Sequence, residues 1–207
     1  MDTDVAPGRP GWLATLRPFV RRRADVEYCE LCSAELAPAH QHLLELSNRQ
    51  LVCSCDACAI LFSGEGAARY RRIPRRSRFL PDFRLTDAQW DSLLIPINLA
   101  FFYRDGASGQ IVALYPSPAG ATESLLTLEA WEELAEENPV LHELEPDVEA
   151  LLVSRGAGAQ ECFRAPIDEC YRLVGLVRTH WRGLSGGPAV REEIRRFFAD
   201  LKERAHA

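Results

Sequence analysis

Tyr28-Cys29-Glu30-Leu31-Cys32 and Cys53-Ser54-Cys55-Asp56-Ala57-Cys58 are the two stretches on which the reading of this chain turns, and five of its seven cysteines lie between positions 29 and 58. A C-x2-C turn lets two thiolates reach one ion. A second such turn across a hairpin completes a tetrahedral set of soft ligands. The best-spaced set is Cys29, Cys32, Cys55 and Cys58, because the second pair repeats the two-residue gap of the first. Cys53 is left as an extra or alternative ligand. The expectation is a small zinc-ribbon-like module. Zinc is the expected ion and iron the alternative, as in rubredoxin; the glycines that usually follow each cysteine pair there are replaced by Ser33-Ala34 and Ala59-Ile60. A closed four-thiolate zinc site holds a fold together and leaves no position for catalysis.

The residues between the pairs support a hairpin. His42 to Leu46 and Gln50 to Cys53 suit short strands, and Ser47-Asn48-Arg49 carries turn formers. Disulfides would require an oxidising compartment, which no signal in the sequence indicates. A thioredoxin-type redox motif uses one C-x-x-C opening a helix in a βαβ unit, unlike two pairs on a hairpin. His40 and His42 are conceivable replacement ligands beside four better-spaced sulfurs. After Cys58, the run Ala59-Ile60-Leu61-Phe62 is expected to pack beneath the metal.

With 207 residues, 47% hydrophobic and 26% charged, the chain has room for one larger domain besides the metal module. Its start is acidic, and its first apolar run, Trp12 to Val20, is broken by Arg17 and Pro18, unlike a signal peptide. The longest apolar run, Leu93 to Tyr103, is interrupted by Pro96 and Asn98 and is shorter than the ~18 residues of a bilayer helix. A cytoplasmic protein without membrane insertion is expected. The net charge of −6 divides into a basic front to Arg84 and an acidic remainder. Arg69 to Arg84 holds seven arginines interleaved with Tyr70, Phe79 and Phe83, a pattern that can bind a phosphate backbone. Lys202 is the only lysine, however, and the pI of 5.4 opposes nucleic-acid binding. A linker or a docking face for acidic protein is the favoured reading.

Local signals divide the chain into an arm over 1–27, partly helical around Trp12, Leu16, Phe19 and Val20, the metal module over 28–66, an Arg-rich linker over 67–84 and an α+β domain over 85–207. Thr86 and Gln89 predict a capping box, with Leu85 and Trp90 as a hydrophobic staple. Strands are expected at Ile95 to Arg104, Gln110 to Tyr115, Val148 to Ser154 and Cys162 to Ala165. Helices are expected from Leu128 to Asn138 with Thr127 as cap, from Pro166 past Val177, and from Pro188 on the stripe Val190, Ile194, Phe197, Phe198 and Leu201. The order predicts a mostly antiparallel sheet covered by helices on one face.

No recognised catalytic pattern emerges. The segment Ser117 to Ser124, read as a loop carrying Ser117, Thr122, Glu123 and Ser124, is the candidate surface or pocket site, yet it lacks an esterase turn and a phosphate loop. Arg178 and His180 have the residue types for anion binding or proton transfer. Cys170 and His180 on one helix are separated by ~15 Å of rise and cannot pair. Cys162 and Cys170 read as small core residues.

Taken together, Cys-Glu-Leu-Cys at 29 to 32, Cys-x-Cys-x-x-Cys at 53 to 58, Tyr-Pro-Ser-Pro-Ala-Gly-Ala-Thr-Glu-Ser at 115 to 124 and Arg-Thr-His-Trp-Arg-Gly-Leu at 178 to 184 resemble a bacterial family of unknown function. Its members tend to be encoded beside nickel–iron hydrogenase genes. The resemblance implies an accessory protein that assists hydrogenase assembly or function, with a hydrogenase subunit or maturation factor as partner. A rubredoxin-like electron carrier and a nucleic-acid-binding protein are the alternatives.

Overall fold

The hairpin between the cysteine pairs forms, as strands β1 (Gln41–Glu45) and β2 (Gln50–Ser54). The computed structural model describes residues 26–64, 69–124, 128–156, 160–183 and 186–206. The expected N-terminal helix and the Thr127 cap lie outside them. Leu46 to Arg49 form the bend, with Arg49 in the left-handed region at φ 58°. Helix α1 (Asp56–Phe62) follows, and β3 (Tyr70–Arg72) adds to the free side of β1, giving a three-stranded sheet in the order β2-β1-β3.

The larger sheet is built from β4 (Arg78–Phe79), β5 (Leu99–Arg104), β6 (Ile111–Ser117), β7 (Gly120–Glu123), β8 (Glu149–Ser154) and β9 (Glu161–Pro166). Its order is β4-β9-β8-β5-β6-β7, with every pairing antiparallel. Helices α2 (Asp87–Ser92), α3 (Leu128–Glu137), α4 (Ile167–His180) and α5 (Gly187–His206) cover it. The molecule is therefore α+β, with antiparallel sheets. The capping box is present: Thr86 Oγ1 accepts from the Gln89 backbone N–H, and Gln89 Oε1 accepts from the Thr86 backbone N–H. That satisfies two orphan donors at the start of α2.

The helices lie on both faces of the large sheet rather than on one. Phe101 and Leu152 pack with Val174 of α4 and Phe198 of α5, whereas Phe102 and Leu151 pack with Trp90 of α2 and Trp131 of α3. The unbroken apolar runs of β5 and β8 follow from this, since a strand covered on both sides has no solvent face to alternate with. Burial of Phe101 or Phe102 contributes about 3 kcal/mol by area.

Three further expectations change. The Ser117 to Ser124 segment is not a loop: β6 runs through Ser117, and β7 returns antiparallel beside it, with Ser117 opposite Gly120. Of the linker expected over 67–84, the described residues 69–84 do more than link, because β3 joins the small sheet and β4 joins the large one. In α1, Ala59 is buried but Ile60, Leu61 and Phe62 are 67%, 74% and 48% exposed, so these three do not pack beneath a metal. No helix among the described residues is long and apolar enough to cross a membrane.

Candidate metal centre

The first cysteine pair is shaped by a tight backbone turn. Cys29 N–H donates to the Ala34 carbonyl at 2.8 Å, and Ser33 N–H donates to the Cys29 carbonyl at 2.7 Å. Ser33 takes the left-handed conformation, φ 62°, that lets the chain double back. The turn is clamped onto β2 from two sides: Glu30 N–H donates to the Cys53 carbonyl at 2.9 Å, and Cys53 N–H donates to Glu30 Oε1 at 2.9 Å.

The second pair is built differently, which corrects the expectation of two like turns across a hairpin. Cys55 is the N-cap of α1, and its Sγ accepts from the Cys58 N–H at 3.4 Å. The sulfur thus does the capping work usually done by a side-chain oxygen. Cys58 stands in the first turn, on the inner side with Ala59.

Together the elements gather Cys29, Cys32, Cys55 and Cys58, whose sulfurs all lie within 4.8 Å of one another. Cys32 Sγ and Cys55 Sγ are 3.7 Å apart. Four thiolates around zinc at ~2.3 Å stand on tetrahedron edges of about 3.8 Å, so the donor set fits a tetrahedral ion with little adjustment. Iron held by four thiolates makes closely similar demands. Cys29 and Cys58 are buried, Cys55 is half-buried and Cys32 faces solvent.

The thiols are unequal. Burial would raise Cys29, but the backbone groups of Cys55, Leu31 and Cys32 hydrogen-bond its thiolate and bring it down to about 6. Burial, followed by hydrogen bonds with Cys32, Cys55 and Cys29, pushes Cys58 up to about 12. The Cys29 thiol therefore ionises well ahead of the Cys58 thiol.

Cys53 is not in this group; its ligand atom lies instead with those of His40 and His42. The remaining candidates do not converge with the four cysteines. Thr122 Oγ1 donates to Ser117 Oγ at 2.9 Å, Ser124 Oγ donates to the Leu94 carbonyl at 2.7 Å, and Glu123 is exposed. Ser117 and Thr122 thus brace the β6–β7 hairpin. His180 Nδ1 lies 3.0 Å from the Leu176 carbonyl in the last turn of α4, and Arg178 is exposed. A groove of about 220 Å³ between Leu80, Phe83 and Pro139 includes none of them. Cys162 and Cys170 are core thiols raised by burial, Cys162 to about 12.

Four arginines of the basic segment are engaged within the chain. Arg69 pairs with Glu45, Arg71 with the Pro146 carbonyl and Asp147, Arg72 with Gln41, and Arg75 with the Ala39 carbonyl. Their first role is to seat β3 and the loop after it.

A doubled-back turn and a helix start that bring four thiols to one point define a cysteine-rich module able to bind a metal, mounted on an α+β domain. The chain belongs to a family of unknown function (DUF5947), whose model matches residues 28–205. No curated protein and no solved structure matches.

Proposed function

We propose that this is a cytoplasmic, non-enzymatic accessory protein in which Cys29, Cys32, Cys55 and Cys58 hold a structural zinc ion. It acts through contact with a protein partner, a hydrogenase subunit or maturation factor. The observation that carries the metal reading is the approach of the four sulfurs to within 4.8 Å, from two elements more than twenty residues apart in sequence. Zinc is favoured over iron by the absence of glycine after each cysteine pair. The hydrogenase partner rests on the resemblance of the cysteine and Arg-Thr-His-Trp motifs to a family encoded beside hydrogenase genes.

The outward side chains of Ile60, Leu61 and Phe62 give the metal module an apolar face suited to a protein partner. The internal pairing of four arginines weighs against a nucleic-acid role, which would need them on phosphates. Two measurements test the reading. Elemental analysis of the purified chain should find about one tightly held zinc that is lost in Cys55→Ser/Cys58→Ser, whereas a visible charge-transfer spectrum would replace zinc with an iron electron carrier. Affinity capture from hydrogenase-expressing cells should recover a hydrogenase component, and its absence would count against the partner.

A further inference from the structure

A second set of metal-ligating side chains lies on the same hairpin. His42 on β1 stands directly across from Cys53 on β2, and His40 immediately precedes β1. One ligand atom of each lies within 4.8 Å of the other two. The two rings meet edge to face, with centroids 4.8 Å apart.

Both rings are oriented through Nδ1. His40 Nδ1 lies 3.0 Å from the Ala37 carbonyl, and also 3.5 Å from a Glu27 carboxylate oxygen. His42 Nδ1 lies 2.7 Å from Asp168 Oδ2, which reaches in from α4. An imidazole that gives its Nδ1 proton to an oxygen keeps the Nε2 lone pair for a metal, and a carboxylate behind it makes that lone pair a better donor. Among the described residues, His40 Nε2 has no hydrogen-bond partner, although the side chain is only 7% exposed. A buried polar atom left unpaired is unfavourable, and a ligated ion would relieve it. Cys53 is placed by its two backbone hydrogen bonds to Glu30.

We propose that His40, His42 and Cys53 form a second metal site, a two-nitrogen, one-sulfur set for a borderline divalent transition ion such as zinc. Two imidazoles and one thiolate leave a fourth tetrahedral position for an exchangeable ligand, unlike the closed set of four thiolates. A tetrahedral ion held by nitrogen and sulfur needs donor separations of about 3.5 Å, which small side-chain rotations supply. Asp168 is a positioning residue for His42. The site does not depend on the four-cysteine centre being filled, because it shares no ligand with it.

The test is a zinc titration of the full chain, stripped of metal and kept reduced, against a chromophoric chelator. Two equivalents are expected, one tight and one weaker and exchangeable. His40→Gln/His42→Gln and Cys53→Ser should each abolish the weaker equivalent and keep the tight one. Asp168→Asn, outside the metal module, should weaken it about tenfold. A single equivalent in the parent chain overturns the proposal, as does a second equivalent unchanged in the double histidine variant or in Asp168→Asn. Cys55→Ser/Cys58→Ser separates the two readings. Loss of the tight equivalent alone supports both, and persistence of both equivalents there would sink the four-cysteine centre.

Discussion

Arg49 and Asp147 meet across the junction of the two sheets, Nη1 to Oδ1 at 3.0 Å, and both hold a left-handed backbone, at φ 58° and φ 68°. Asp147 is 4% exposed and also accepts from the Gly106 N–H at 2.9 Å, while Arg71 approaches its other oxygen at 3.4 Å. Arg49 lies over the Tyr103 ring at 4.3 Å. The carboxylate is the centre of a buried network that joins the β1–β2 bend to the loops before β8 and after β5. Removing the carboxylate takes the nearer acid from Arg49, the ion pair from Arg71 and the acceptor from the Gly106 N–H at once, leaving Arg49 with Asp105 alone at 3.4 Å.

Asp147→Ala is therefore expected to lower stability by about 3 kcal/mol in urea unfolding. Asp147→Gly loses the same carboxylate but relieves the φ 68° backbone, and should cost about 1 kcal/mol less. Equal losses in the two variants would show that the backbone conformation carries no strain.

Acid sensitivity should involve the neighbouring Asp105. The Ser108 backbone N–H and hydroxyl hold its carboxyl below the ordinary 3.8, against some burial and with help from Arg49 and the Ala107 N–H. A depressed folded value means that the contribution is present above pH 3.8 and lost as pH falls through the folded value. Asp105→Asn should then flatten the acid limb below pH 4, by about 1 kcal/mol or less in this solvent-screened loop, as followed by circular dichroism.

Metal loading should strengthen as pH rises. Cys58, with its thiol pushed up to about 12, keeps its proton at neutral pH until an ion displaces it. Each proton released makes apparent affinity climb about tenfold per pH unit. Chelator competition between pH 6 and 8 measures the slope, and a flat response would mean that the thiols are already ionised before binding.

The apolar face of α1 should be separable from the fold. Leu61 is 74% exposed, so Leu61→Asp should change stability by less than about 0.5 kcal/mol. Capture of a partner that uses this face should fall at least tenfold, read by comparing yields with the parent chain.

Much of the scaffold was legible because its signals are local. The C-x2-C spacing located the sulfurs, Thr86 and Gln89 announced α2, and the stripe ending at Leu201 announced α5. Strand β7 was hidden because Pro118 and Gly120 read as loop and its residues alternate between half-buried and exposed, with no apolar run to mark a strand. Helices on both faces were implied by the continuous runs in β5 and β8, but such runs do not say what covers them. The His42–Cys53 pairing was missed through register. A three-residue bend at Ser47 to Arg49 would set His42 opposite Ser54, whereas the four-residue bend starting at Leu46 sets it opposite Cys53. Shifting a strand by one residue exchanges its faces.

The short passage from β3 to β4, residues 73–77, has a practical consequence for anyone cutting this gene into pieces. Ile73 and Leu44 belong to the core under α4 and α5, with Leu46 and Leu51 packed beside them. A fragment ending before Arg78 would carry its sulfurs intact yet present that greasy underside to water. The cysteine module is therefore no portable cassette, and its back half is the floor on which the rest of the chain stands.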